Sequence, residues 1–344
     1  MVIEFKNLKI NNLHSESEFE NKVIFFLKNW YSSSKTVQVQ TSGSTGTPKL
    51  FDVEKIKMEY SARMTCDFLK LEEGDTALLC LPVEYISGKM MLVRSIIRKL
   101  KLYLVKPSSS PLSNLEVPID FCAMTPLQVE NSLDKLSFVK NIIIGGAGVS
   151  EQLQLKIATA LNNQKFDFVP KVFETYGMSE TLSHIGLKQL YPQKEDYFTL
   201  FEGISISNDD RGCLQINAPQ LNKELLQTND LVEIINERHF RFLGRIDNVI
   251  NSGGAKIFPE QLESLVKKII PNEVVFMGLT DDTFGERLIA IVEGEESEDL
   301  KLQIMGVPFG KSYHKPKEIY FVEMIPRTPN GKVNRLELKK LFHS

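Results

Sequence analysis

Thr41-Ser-Gly-Ser-Thr-Gly-Thr-Pro-Lys49 combines glycine, hydroxyl side chains and a closing Pro-Lys in a way that a plain surface turn does not require. Gly43 and Gly46 allow backbone N–H groups to turn inward. The hydroxyls of Ser42, Ser44 and Thr45, beside Thr41, can donate to the same point, and Lys49 adds a positive charge. The result is an anion cradle suited to phosphate. It differs from the common nucleotide loop G-x-x-x-x-G-K-[ST], in which the lysine follows a glycine directly, because Thr47-Pro48 separates Gly46 from Lys49. Ahead of it, Thr36-Val-Gln-Val-Gln40 alternates as a strand does.

Outward from this loop, strand and helix patterns alternate. Apolar positions Val23, Ile24, Phe26, Leu27 and Trp30 predict a helix over 21–31, and the pattern predicts another helix over 53–71. A buried strand over 76–81 stops at Pro82. Further expectations are a helix over 90–101, strands at 101–105, 121–124 and 141–144, and a helix over 150–161 capped by Ser150. Such alternation predicts an α/β sheet. After Gly212, short strands at 213–217, 231–235 and 239–243 with turns between them suggest a small β subdomain. The expected fold is a large N-terminal domain of α/β sheets with this β subdomain, spanning 1–246. A small mobile α+β C-terminal lid domain follows over 247–344, with a helix at 259–268, strands at 274–279 and 287–293 and a C-terminal helix.

The 344 residues are enough for a sizeable core and more than one domain. Lys and Arg number 41 against 44 Asp and Glu, so nothing in the overall charge attracts nucleic acid or an anionic membrane. Cys66, Cys80, Cys122 and Cys213 form no CxxC pair, and three of them sit in apolar surroundings, as buried thiols in a reduced cytoplasm do. The N-terminal stretch has no apolar signal region, and no run approaches the ~18 apolar residues of a membrane span. A cytoplasmic protein with no stable membrane insertion is expected.

Three further segments follow the loop in order: Tyr176-Gly-Met-Ser-Glu180, Gly244-Arg-Ile-Asp-Asn-Val-Ile-Asn-Ser-Gly-Gly-Ala-Lys-Ile-Phe-Pro-Glu260 and Pro326-Arg-Thr-Pro-Asn-Gly-Lys332. Together the four motifs resemble the adenylate-forming superfamily of acyl-CoA synthetases, luciferases and peptide-synthetase adenylation domains, over about residues 38 to 335. Within it, Leu81-Pro-Val-Glu-Tyr-Ile-Ser-Gly88 with the apolar run to Arg94, and Met178-Ser-Glu-Thr-Leu-Ser-His184, are most similar to the o-succinylbenzoate–CoA ligases of menaquinone biosynthesis, in a short form. Forty residues precede Thr41, fewer than in full-length relatives. A reduced N-terminal subdomain, and a homodimer formed on the surface it leaves, are expected.

The resemblance implies ATP, Mg²⁺ and coenzyme A as co-substrates and a small-molecule carboxylic acid as the partner. It places Ser42, Ser44, Thr45 and Lys49 on the β- and γ-phosphates, in a nucleotide-binding loop that includes Thr41, Gly43 and Gly46, with Glu180 on Mg²⁺ and Ser179 near the α-phosphate. It places the backbone of Gly145, Gly146 and Ala147 against adenine, Tyr176 with Gly177 as the stacking aromatic, Asp230 on the ribose hydroxyls and Arg245 on the ribose and phosphate side. Asp230 stands in Thr228-Asn-Asp where the family has Thr-Gly-Asp. Lys332 matches the lysine that bridges carboxylate and α-phosphate, Asp247 matches a hinge, and Gly253 and Gly254 match the pantetheine entrance. Tyr85 stands where relatives carry a histidine, and Lys89, Arg94 and His184 are candidates to hold a second substrate carboxylate. The alternatives are a CoA ligase or carrier-loading adenylation enzyme for another aryl or fatty acid, and a non-catalytic nucleotide-binding relative. The last has no need of Lys332.

Overall fold

A computed structural model describes residues 1–40, 50–163, 168–327 and 333–342. Among these residues one sheet has twelve strands. Its first half runs Val2–Glu4, Lys101–Leu104, Thr76–Leu79, Ile119–Met124, Val139–Ile144 and Lys171–Gly177. Val2–Glu4 pairs antiparallel with Lys101–Leu104, and the remaining pairings of this half are parallel. The second half continues through His184–Tyr191, Phe198–Leu200, His239–Arg245, Leu226–Asn236, Cys213–Asn217 and Ser205–Asn208, all antiparallel.

The parallel half is apolar on both faces because helices cover both. Leu79, Phe121, Ala123 and Ile143 pack on the side of helices Lys55–Leu69 and Ile86–Arg98, with Met58, Ala62 and Met91. Leu78, Cys122, Ile142 and Ile144 face the other way, onto Leu153, Ile157 and Leu161 of helix Glu151–Asn162. That helix starts as its sequence predicts, with the Ser150 hydroxyl accepting the Leu153 N–H. The four cysteines are buried free thiols.

A separate sheet contains Ala255–Ile257, Ile250–Ser252, Gly285–Glu293 and Val274–Asp281, with Glu318–Val322 parallel to Gly285–Glu293. One face packs on helix Pro259–Val266 through Ile257, Leu262, Val266, Phe276 and Ala290; the other holds Val275, Ile289, Ile291 and Leu338. Among the described residues no strand pairing joins the two sheets. The chain passes between them through the single turn Ile246–Asn248.

The structure differs from the sequence reading in several places, among them the helix expected over 90–101, which runs Ile86–Arg98 and ends at Lys99 in the left-handed conformation. Leu50–Glu54 is a strand paired antiparallel with Thr36–Gln40, so the following helix begins at Lys55 and not at Val53. Lys171–Gly177 and His184–Tyr191, which carry the Tyr176 and His184 motifs, are paired strands. The strands after Gly212 extend the same hydrogen-bonded sheet through Phe198–Leu200. No helix among the described residues is long and apolar enough to cross a membrane.

Candidate active site

Two neighbouring parallel strands, Val139–Ile144 and Lys171–Gly177, bring Gly145, Gly146, Ala147 and Tyr176 together at their carboxyl ends, in the middle of the sheet. Crevices at the carboxyl ends of parallel strands are the usual ligand positions in open α/β sheets. Gly146 has φ +90°, a conformation costly for any side chain, so this turn is built for glycine. Below it the Glu174 carboxylate accepts the Val149 N–H at 3.0 Å and pairs with Lys188 at 2.6 Å. Glu174 and Lys188 therefore hold the turn against the sheet. Neither belongs to a motif, and only the strand pairing Glu174↔Lys188 brings them together.

Tyr176 is half-buried against Phe198, Phe240 and Phe242, and its hydroxyl donates to Asp230 Oδ2 at 2.6 Å. Burial first, and the Asp230 charge second, push the phenol far above its usual range, so it remains a donor. Asp230 and Arg245 sit opposite each other on paired strands, with Arg245 Nη1 donating to Asp230 Oδ1 at 3.1 Å. Three of the expected nucleotide residues, 54 and 15 positions apart in sequence, thus form one cluster around a carboxylate. The Arg245 Nη2 group reaches on to Asp247 at 2.9 Å, and the Asn229 amide donates to both Asp247 oxygens. The residue that departs from Thr-Gly-Asp is accounted for by this contact.

Gly177 packs so closely on the next strand that a Cβ there would overlap the Ser183 carbonyl and the His184 Cα. This approach sets the turn Ser179–Thr181, where Ser179 and Glu180 are exposed. His184 follows on the strand and is buried, with Nε2 3.0 Å from Thr65 Oγ1 and Nδ1 3.3 Å from Ser183 Oγ. Arg94 on helix Ile86–Arg98 is 2% exposed and donates from Nη2 to Ser183 Oγ at 3.1 Å. Its Nε is buried with no hydrogen-bond partner among the described residues, and burial lowers its pKa to about 10. Lys89 of the same helix bonds the Glu84 carbonyl at 2.7 Å and is not part of this cluster; burial lowers its pKa. Tyr85 precedes the helix as its half-buried N-cap residue. Thr65 and Ser183 are the members that motif reading passed over.

Gly253 and Gly254 form the two-residue hairpin turn between Ile250–Ser252 and Ala255–Ile257, both with positive φ, which by itself explains glycine at these positions. Thr41 to Lys49 and Lys332 lie outside the described residues.

A family model described as AMP-binding enzyme matches residues 34–203. An acyl-CoA synthetase (AMP-forming)/AMP-acid ligase II-like protein from Dyadobacter fermentans is 32% identical, with 99% of each chain covered and a TM-score of 0.67. The chain belongs to the AMP-binding enzyme family.

This AMP-binding enzyme is also 27% identical to a 2-succinylbenzoate–CoA ligase of Listeria monocytogenes, over 94% of its own length and 74% of the relative's. Its fold matches the o-succinylbenzoate coenzyme A synthetase of Bacillus subtilis in complex with ATP and magnesium ion. There the TM-score is 0.71 at 22% identity, over 88% of this chain and 69% of that one. Among the described residues of the AMP-binding enzyme, no cluster of three or more His, Cys, Asp or Glu could cage a metal. One exposed carboxylate, Glu180, on a hydroxyl-bearing turn suits Mg²⁺, which favours one or two carboxylates with phosphate oxygens and water.

Proposed function

We propose that the chain is an ATP-dependent acid–CoA ligase that works through an acyl-AMP intermediate and takes o-succinylbenzoate in menaquinone biosynthesis. The observation that carries the substrate reading is Arg94, a buried guanidinium with an unfilled Nε and no carboxylate partner among the described residues. Burying a charge without a counter-charge costs several kcal/mol, on the order of 3 or more. A dicarboxylic acid offsets that cost with the carboxylate that does not react. The names carried by relatives such as the Listeria protein support the same acid.

A carboxylate is a poor acylating group because its leaving group would be oxide. Joining it to AMP, with release of pyrophosphate, creates a leaving group that the CoA thiol can displace. In this reading Gly145 to Ala147 and Tyr176 hold adenine, while Asp230 and Arg245 hold the ribose. Thr41 to Gly46 and Lys49 carry the terminal phosphates, and Lys332 bridges the reacting carboxylate and the α-phosphate. Glu180 would hold Mg²⁺, which neutralises the charge that gathers on the departing pyrophosphate. We read residues 1–246 and 247–344 as the two domains and Asp247 as the hinge between them, with Gly253 and Gly254 at the CoA entrance. ATP and CoA as co-substrates place the reaction in the cytoplasm.

The test is acid-dependent pyrophosphate release with ATP and Mg²⁺ across o-succinylbenzoate, benzoates, fatty acids and amino acids, each with and without CoA. Preferred turnover of o-succinylbenzoate, with a CoA thioester as product, is expected. Preference for another acid would overturn the substrate, and silence with every acid would overturn the ligase.

A further inference from the structure

Four contacts link Arg94 to the middle of helix Lys55–Leu69. They are Arg94 Nη2 to Ser183 Oγ (3.1 Å), Ser183 Oγ to His184 Nδ1 (3.3 Å), His184 Nε2 to Thr65 Oγ1 (3.0 Å), and Thr65 Oγ1 to the Ser61 carbonyl (3.1 Å). Their directions are determined by their ends. Arginine only donates and a carbonyl only accepts. For a neutral imidazole only one assignment therefore places a hydrogen in every contact. Thr65 gives its hydroxyl hydrogen to Ser61, so it must accept from His184 Nε2–H. His184 Nδ1 is then bare and accepts the Ser183 hydroxyl, whose lone pair receives the Arg94 N–H. The opposite tautomer would leave two oxygens facing each other with no hydrogen between Thr65 and Ser61.

We propose that His184, backed by Thr65, is a positioning residue for acid selectivity, holding Ser183 and the Arg94 guanidinium so that the unspent Arg94 donors stay committed to a second substrate anion. This deepens, and rests on, the reading of Arg94 given above. Three structural elements meet in the chain: helix Lys55–Leu69, helix Ile86–Arg98 and strand His184–Tyr191. His184 also packs edge-on against Phe201, so the ring cannot turn without opening the core. A neutral imidazole keeps the chain in this direction, since a proton on Nδ1 would reverse the Ser183 bond and place a second cation beside Arg94. Burial and Arg94 both drive the imidazole toward that neutral form. Glutamine can imitate the arrangement with one acceptor and one donor; leucine offers neither.

The experiment compares wild type, His184→Leu, His184→Gln and Thr65→Val on o-succinylbenzoate and its two monocarboxylate analogues, reading KM and kcat separately. Expected is a fall of about tenfold or more in the dicarboxylate-to-monocarboxylate ratio of kcat/KM for His184→Leu, the loss typical of a disturbed bond to a charged group, carried by KM. Thr65→Val should fall in the same direction, and His184→Gln should recover most of the ratio. An unchanged ratio in both His184→Leu and Thr65→Val overturns the proposal, as does an equal loss on all acids. Nitrogen-15 spectra of labelled histidine in the wild type form an independent arm: protonated Nε2 with bare Nδ1 is expected, and the reverse tautomer overturns the relay. A wild type with no dicarboxylate preference, but with protonated Nε2, would sink the substrate reading and its selectivity consequence while the hydrogen-bond chain stood.

Discussion

His184 shows how one buried side chain carries a pH signature. Its native pKa lies well below the ordinary value of 6.5, because burial opposes the charged ring and Arg94 repels it. The unfolded chain binds a proton near its ordinary pKa that the native protein refuses. The contribution of His184 to stability is therefore complete above about pH 6.5 and declines as the pH falls through that value toward the native pKa. The slope approaches about 1.4 kcal/mol per pH unit between the two pKa values. Urea denaturation of wild type and His184→Gln at several pH values from about 7 down to about 5 checks this. The expected outcome is a steeper loss for wild type on acidification, since the other titrating groups are common to both proteins. Parallel curves would show that His184 is not held neutral. Motif reading reached His184 and Arg94 but not Thr65 or Ser183. Single hydroxyls 118 residues apart carry no local pattern, and only the packing of helix on strand makes them one chain.

The short helix Arg335–Lys340 shows the same logic at the level of an element. Arg335 clamps Glu263 of helix Pro259–Val266 at 2.6 and 2.7 Å and donates to the Phe276 carbonyl, while Glu263 accepts the Phe276 N–H. Six residues are too few for a helix to persist by its own propensity. The ion pair and the buried Leu338 hold it on the small sheet. Arg335→Met is expected to leave a buried carboxylate without its partner and cost about 3 kcal/mol in a denaturant titration of the small sheet's transition. The double variant Glu263→Leu, Arg335→Met should recover much of that loss. A single-variant cost below about 0.5 kcal/mol would mean that the pair behaves as a solvated surface bridge. Helix positions were the most legible part of the sequence, because the apolar spacing of 21–31 and the Ser150 cap act locally. Strand Leu50–Glu54 was not legible. Most of its residues are exposed, so it has no apolar alternation, and its pairing with Thr36–Gln40 is what makes it a strand.

For the whole molecule, two sheets with separate apolar cores meet through the turn Ile246–Asn248. Asp247 in that turn is bonded by Arg245, which also holds Asp230, and by Asn229. The proposed ribose carboxylate and the proposed hinge are thus bridged by a single guanidinium through two hydrogen bonds. Asp247→Pro, which removes the side-chain contacts and restrains the backbone, is expected to slow thioester formation from supplied acyl-AMP while acyl-AMP formation is retained. Rapid-quench measurement of each half-reaction checks this, and equal slowing of both would place the hinge elsewhere. The sequence by itself carried the proposals that rest on contiguous residues. A phosphate cradle needs glycines and hydroxyls in one loop, and the spacing of Tyr176 to Glu180 or Asn330 to Lys332 is set within a few bonds. It also determined the α/β alternation, since apolar periodicity is a local property. Tertiary structure alone decided that Tyr176 bonds Asp230, that Glu174 meets Lys188, and that Arg94 is buried without a carboxylate among the described residues. Those facts depend on strand register and helix placement, which are settled by the packing of the whole chain and leave no trace in any short stretch of it.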